Sequence, residues 1–249
     1  MYQNPKDAWR DNYRRLDNTP HNMPPIPAQT VAVASNAMKR VYLLMTLGLL
    51  VTAFVSMFCA SSASFISFAL TNRWFMWVLF GAELLLVFSI SGAINKMSSA
   101  FAALLFFVFA VVNGLALSPI FLIYTGTSIA KTFFITAGTF GAMSVYGYFT
   151  TNDLTRWGSI LFMALIGLII ASVVNIFLHS DTMSWIISGA GVLIFVGLTA
   201  WDTQNIKRMS EMASPDMVGR IAVLGALNLY LDFINLFLYL LRFFGNSND

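Results

Sequence analysis

The sequence predicts an all-α polytopic membrane protein, an up-and-down bundle of seven helices. Three observations carry this. Of 249 residues, 58% are hydrophobic and only 10% are charged, where a soluble domain carries about 25% charged residues. Mean hydropathy is +0.74. Seven apolar segments each approach the ~20 helical residues that cross a hydrocarbon core of ~30 Å.

The segments are Tyr42–Ala60, Trp74–Ile94, Phe101–Tyr124, Thr132–Phe149, Trp157–Leu178, Met183–Trp201 and Ile221–Phe244. Short connections make sequential helices neighbours and leave no room for an inserted soluble domain. Residues 1–41 form a polar arm containing Pro20, Pro24, Pro25 and Pro27, a composition that predicts an extended, disordered segment. No apolar core follows Lys6, Arg10, Arg14 and Arg15, so the arm does not read as a cleavable signal peptide. Residues 245–249 are a short tail. Pro119 interrupts the third segment and should kink it, freeing a carbonyl near Leu115 or Ala116. Ala164, Gly167 and Ala171 on the fifth segment, and Ala137 and Gly141 on the fourth, make small-residue faces for close helix packing.

Orientation follows from Lys and Arg outside the spans. Lys6, Arg10, Arg14, Arg15, Lys39, Arg40, Lys96, Arg156, Lys207, Arg208 and Arg220 fall on one side, against Arg73, Lys131 and Arg242 on the other. This places the N-terminus in the cytoplasm and the C-terminus across the membrane.

The polar residues inside the spans carry the functional signal. Asp232 lies mid-segment, where a carboxylate costs roughly 3 kcal/mol on insertion scales. Asn228, Asp232, Asn235, Tyr239 and Arg242 recur at steps of four, three, four and three residues. At about 100° per residue they stay within roughly 40° of one line. Such a stripe must face protein, a water-filled cavity or an ion path. Asp202 closes the sixth segment, Glu83 sits mid-way along the second, and Asn113 and Asn175 add neutral polar atoms. If Asp202 and Asp232 meet, they share one proton and titrate as a pair near neutral pH. Protonated, the pair ties two helices together; deprotonated, it repels them. Helix rise sets Asp202 ~8 Å below Lys207 and Asp232 ~18 Å below Arg220, so contact requires the last helix to start deeper or to lean.

Other chemistries find little support. Cys59 lies in an apolar run and reads as an inert buried thiol. His21 and His179 lack metal-ligand company, so no tightly bound metal and no cofactor are expected. There is no Gly-x-Gly-Asp run, nucleophile elbow or phosphate-binding glycine loop, which argues against an enzyme. Nucleic-acid binding is not expected, since no basic cluster is interleaved with stacking aromatics.

The runs Thr-Ala-Trp-Asp-Thr-Gln at 199–204 and Leu-Tyr-Leu-Asp-Phe-Ile-Asn-Leu-Phe-Leu at 229–238, supported by Asn-Gly-Leu-Ala-Leu-Ser-Pro at 113–119, resemble the Bax inhibitor-1 (transmembrane Bax-inhibitor-motif) family in its bacterial inner-membrane branch. The resemblance implies a central C-terminal helix surrounded by six others. It also implies a pH-sensitive calcium leak gated by an aspartate pair, here Asp202 and Asp232, with Glu83 as the second-span acid. Some relatives carry an arginine on the second span that engages the pair. This chain has none there, and Lys96 is the nearest basic substitute. The expected partners are the lipid bilayer, calcium or another cation in transit, and another membrane protein. A second reading from the resemblance is an interaction protein that modulates a membrane protease or other membrane complex.

Overall fold

The computed structural model describes residues 28–246; the arm residues up to Pro27 and the last three residues lie outside them. Helices α1 (Ala28–Ala60), α2 (Ala63–Thr71), α3 (Arg73–Ala93), α4 (Ser99–Leu117), α5 (Ile120–Ile123), α6 (Gly126–Phe149), α7 (Thr155–Leu178), α8 (Asp181–Glu211) and α9 (Val218–Phe244) follow in order, with a 3-10 turn at Ile94–Lys96 after α3. Among the described residues there is no strand, and the protein is an all-α polytopic membrane protein.

Local chemistry sets the helix starts. A hydroxyl side chain accepts the N–H three residues on at four of them: Ser62 from Phe65 at 3.3 Å, Ser98 from Phe101 at 3.2 Å, Thr125 from Ser128 at 3.1 Å and Ser180 from Met183 at 3.3 Å. Helix α7 ends at His179, whose left-handed backbone (φ 48°) closes the turn to α8. Pro119 breaks the third predicted span as expected. Its ring excludes a helical bond to Leu115, and the Ser118 hydroxyl donates to that freed carbonyl at 2.8 Å instead.

The sequence expectation for the arm is corrected. The arm does not extend to residue 41, because α1 begins at Ala28. Residues 28–41 are rich in Ala and Val, and Ala37, Met38 and Val41 are buried in the bundle. The 61–72 connection contains the short helix α2. By length and composition, six helices among the described residues are long and apolar enough to cross a membrane. The fourth predicted segment lies in α6, which is long enough at 24 residues but carries Lys131 and several threonines and serines.

The C-terminal helix is the axis of the bundle. Two-thirds of its most apolar stretch (67%) is buried, against 39% or less for the other five spans. It packs on α8, α1, α6, α4 and α3. Helix α7 leans on α8 instead, where Gly158 admits the Trp201 ring and Gly197 faces Leu161. Of the expected small-residue faces, Ala137, Ala164 and Ala171 pack against the core, but the glycines do not. A methyl group added at Gly167 or Gly141 would meet nothing within 4 Å. The close approach between α6 and α8 is at Gly147, which lies against the Ala200 carbonyl.

Polar clamps tie one end of the bundle. Arg208 pairs with Asp153 at 2.8 Å and donates to Thr155. Lys207 donates to the Tyr148 carbonyl at 2.9 Å, and Arg220 donates to the Asn95 carbonyl at 3.0 Å. Gln204 accepts from the Leu154 N–H at 2.9 Å and donates to the Asn152 carbonyl at 2.8 Å. At the opposite end Asn246 exchanges backbone contacts with Thr125 and Ser128.

Candidate functional site

The polar stripe on α9 faces α8 along an antiparallel interface. The carboxyl groups of Asp202 on α8 and Asp232 on α9 lie within hydrogen-bonding reach of each other, and Asp202 also reaches Asn228. Both aspartates are buried, at 7% and 4% exposure. Oδ2 of Asp232 is sealed from solvent and has no hydrogen-bond donor. Helix α8 continues past Trp201 to Glu211, and the short connection 212–217 leads into α9 at Val218. Further along, the Tyr239 ring stacks on Phe195 at 5.8 Å and fills the space left by Gly191. Arg242 donates to Ser184 at 3.0 Å from an exposed position. Asn235 turns back onto the Leu231 carbonyl at 2.8 Å.

Glu83 does not join the aspartates. It accepts from the Asn113 amide at 2.8 Å, and the Asn113 oxygen accepts from the Tyr230 hydroxyl at 2.9 Å. Tyr230 in turn lies 2.6 Å from the Thr52 hydroxyl, which reaches the Ala110 carbonyl at 2.8 Å. This chain links α3, α4, α9 and α1 across the bundle. Tyr230 and Asp232 are two residues apart on one helix, so at about 100° per residue they point to nearly opposite sides. One side of α9 holds the aspartate pair, and the other holds the Glu83 chain.

Lys96 is not the basic partner of the pair. It is exposed in the 3-10 turn at the end of α3. The described ion pairs are Arg208–Asp153 and Arg220–Asp216, neither involving Asp202 or Asp232. Among the described residues no three His, Cys, Asp or Glu side chains converge on one point.

Sequence reasoning passed over Tyr230 and Thr52. Tyr230 sits inside the Leu-Tyr-Leu-Asp run but off the polar stripe, where an aromatic reads as core. A signal was present nonetheless: Glu83 and Asn113 are polar groups in mid-membrane, and each must find a partner.

The motif runs fall where this geometry needs them. The pattern of the family described as "Inhibitor of apoptosis-promoting Bax1" matches residues 34–249. The chain belongs to the Bax inhibitor family. It is 50% identical over 212 residues to Inner membrane protein YbhL of Escherichia coli K12, covering 84% of this chain and 91% of that one. An uncharacterised protein of Borreliella burgdorferi is 47% identical over 223 residues, covering 89% and 96%. A third relative, from Deinococcus radiodurans, is 38% identical over 213 residues, covering 85% and 90%. In this member of the Bax inhibitor family, the 199–204 run places Asp202 at the pair and Gln204 at the loop clamp. The 229–238 run places Asp232 on one side of α9 and Tyr230 on the other.

Proposed function

We propose that the protein is a proton-controlled leak for cations, calcium foremost, in a bacterial inner membrane, with the Asp202–Asp232 pair as its latch. The observation that supports this is the meeting of two buried carboxyls from α8 and α9, one with an oxygen that no hydrogen-bond donor reaches. A single proton shared between the carboxyls supplies that missing donor and ties α8 to α9. Losing it leaves two like charges in contact, which separates the helices. Glu83 adds a further acidic group on the opposite side of the central helix. Calcium takes six to eight oxygen ligands, and two carboxyls offer too few for tight retention, so the ion passes rather than stays. The chemistry is transport, not catalysis.

In this reading all seven long helices cross, with α6 shielding its polar residues against α8 and α9. The end bearing Lys207, Arg208 and Arg220 faces the cytoplasm by the positive-inside rule. The inner-membrane location is that named for the Escherichia coli relative.

The test is calcium flux into liposomes containing purified protein, between pH 6 and pH 8. Flux should rise with pH in the wild type. In Asp232→Asn and Asp202→Asn the pH response should be lost, since an amide cannot ionise. Absence of calcium flux at every pH, or a wild-type pH profile in both variants, would overturn the proposal.

A further inference from the structure

At the end of the bundle opposite Lys207 and Arg208, the close of α7, the start of α8 and the last turn of α9 bound a cavity of about 450 Å³. Water claims only about 30 Å³ per molecule in the liquid, so this is room for a small ligand. Ile176 and Ile187 give it an apolar wall, and its other lining residues are polar. Converging polar groups on a partly apolar cavity are the ordinary build of a ligand site.

The polar walls are held in place. Asn175 is buried; its oxygen accepts the Ser180 N–H at 3.2 Å, and its nitrogen donates to the Ser184 hydroxyl oxygen at 2.8 Å. Arg242 donates to the same oxygen at 3.0 Å. A hydroxyl oxygen has two lone pairs, so these two bonds fill both and leave the Ser184 proton to be given away. Among the described contacts no protein group accepts it. Arg242 itself forms no ion pair among the described residues. A guanidinium and a free O–H thus make one corner of the cavity a donor site for an anion.

Another part of the lining has the opposite character. His179 ends α7 with a left-handed backbone, and its Nδ1 lies 3.2 Å from the Phe177 carbonyl. A carbonyl only accepts, so Nδ1 carries the proton and the neutral ring offers Nε2 as an acceptor. The Asp181 carboxylate lines the same cavity and, among the described residues, pairs with no cation. One cation and one anion therefore share the cavity without pairing with each other. A simple anion would sit with Asp181 as a like charge, and a simple cation with Arg242. A ligand that carries both an oxyanion and an ammonium satisfies the two together.

Depth in the membrane narrows the oxyanion. Trp185, next to Ser184, is exposed, and its ring lies 5.0 Å from that of Phe243. Phe177, two residues before His179, is exposed as well. Tryptophan collects at the boundary between hydrocarbon and water, where headgroup phosphates lie.

We infer that this cavity binds a zwitterion of the ethanolamine phosphate type, with its phosphate at Arg242 and the Ser184 hydroxyl and its primary ammonium at Asp181 and Nε2 of His179. A lipid headgroup and a free solute both present this chemistry. The inference does not depend on ion transport.

Two measurements on the full chain test it. Native mass spectrometry of protein released from nanodiscs compares retention of phosphatidylethanolamine with that of phosphatidylcholine, whose methylated nitrogen has no N–H, and of phosphatidylglycerol, which has no ammonium. Thermal unfolding in detergent with added ethanolamine phosphate tests the free solute. The wild type should retain phosphatidylethanolamine several-fold over either other lipid. Stabilisation by ethanolamine phosphate without that preference would support the same site with a soluble ligand. Asp181→Asn and Arg242→Gln, both at exposed positions, should each weaken binding in the responding measurement by about fivefold, the upper weight of one exposed ion pair. Lys131→Gln, exposed but outside the cavity, should not. Absence of both the lipid preference and the solute stabilisation in the wild type would overturn the inference. So would a preference for phosphatidylglycerol, which marks a plain anion site, unchanged binding in either cavity variant, or an equal loss in Lys131→Gln.

Discussion

The hydroxyl oxygens of Tyr230 and Thr52 lie 2.6 Å apart at the centre of the bundle, with Tyr230 fully buried between Phe106 and Phe109. Two hydroxyls carry two protons, yet they make three contacts: Thr52 to the Ala110 carbonyl, Thr52 to Tyr230, and Tyr230 to Asn113. With the Asn113 amide donating to Glu83, one contact lacks a proton. Turning that amide by 180° gives its N–H to Tyr230 and its oxygen to Glu83. Every contact is then filled, provided Glu83 carries a proton. The infrared spectrum of the protein in lipid should therefore show a protonated-carboxyl stretch that grows on acidification, disappears in Glu83→Gln and persists in Asp232→Asn. A spectrum with no Glu83-dependent band would refute this proton count.

Removing the Tyr230 hydroxyl strands its partners in a dry interior. Tyr230→Phe should destabilise the protein by about 1–3 kcal/mol, the cost of leaving a buried polar group unpaired. Thermal unfolding in detergent measures it. No loss of stability would mean that the network is not held in the folded state.

Glycines that look alike in sequence differ in what surrounds them. Gly147→Ala drives a methyl group into the Ala200 backbone carbonyl, and should cost about 1–3 kcal/mol, as overpacking does. Gly167→Ala meets nothing within 4 Å, so it should be neutral or should stabilise by up to about 1 kcal/mol through helix propensity. Unfolding temperatures of the two variants provide the comparison, and equal shifts would contradict the packing described.

These glycines mark the limit of what was legible in the sequence. Span positions could be read because apolar runs of membrane length have few alternatives. The α9 stripe could be read because a repeated polar step in an apolar helix must face inward. Pro119 ended a helix for the same backbone reason in sequence and in structure. Partner choice could not be read. Nothing local distinguishes Gly167, turned to open space, from Gly147, turned to a carbonyl. Lys96 looked available by proximity in sequence, but its side chain is exposed at the end of α3. The helical start at Ala28 was hidden because prolines at 20–27 coloured the reading of the less polar residues after them. Tyr230 was hidden because an aromatic in an apolar helix carries no sign of whether its hydroxyl is used.

Outside the membrane, Asp153 should titrate far below an ordinary carboxyl. The Thr155 hydroxyl, then the Thr155 N–H, then Arg208 hold its charged form, lowering its value from 3.8 to about 2. A depressed carboxyl contributes stability that is present above about pH 4 and lost as pH falls toward 2. Because Thr155 leads, Thr155→Val should raise the midpoint more than Arg208→Gln. Carboxyl chemical shifts followed through an acid titration measure both, and the reverse order would show that the ion pair dominates.

Gln204 closes the 199–204 run, and its contacts explain why an amide stands there. Its oxygen accepts from the Leu154 N–H and its nitrogen donates to the Asn152 carbonyl, so one side chain satisfies two backbone groups of the 150–154 connection. A carboxylate of the same shape keeps the first bond and loses the second, placing two oxygens in contact where a hydrogen bond stood. An alanine loses both bonds and leaves two backbone groups unpaired. Gln204→Glu should cost about 1–2 kcal/mol and Gln204→Ala about 2–4 kcal/mol, taking roughly 1–2 kcal/mol for each stranded group. Amide hydrogen exchange at Leu154 separates the two cases. Glu should slow exchange relative to Ala, because the Leu154 N–H still has an acceptor. If Leu154 exchanges equally fast in both variants, the clamp is not what orders this connection, and the position of Asp202, two residues before Gln204 on the same helix, must be fixed by α9 alone.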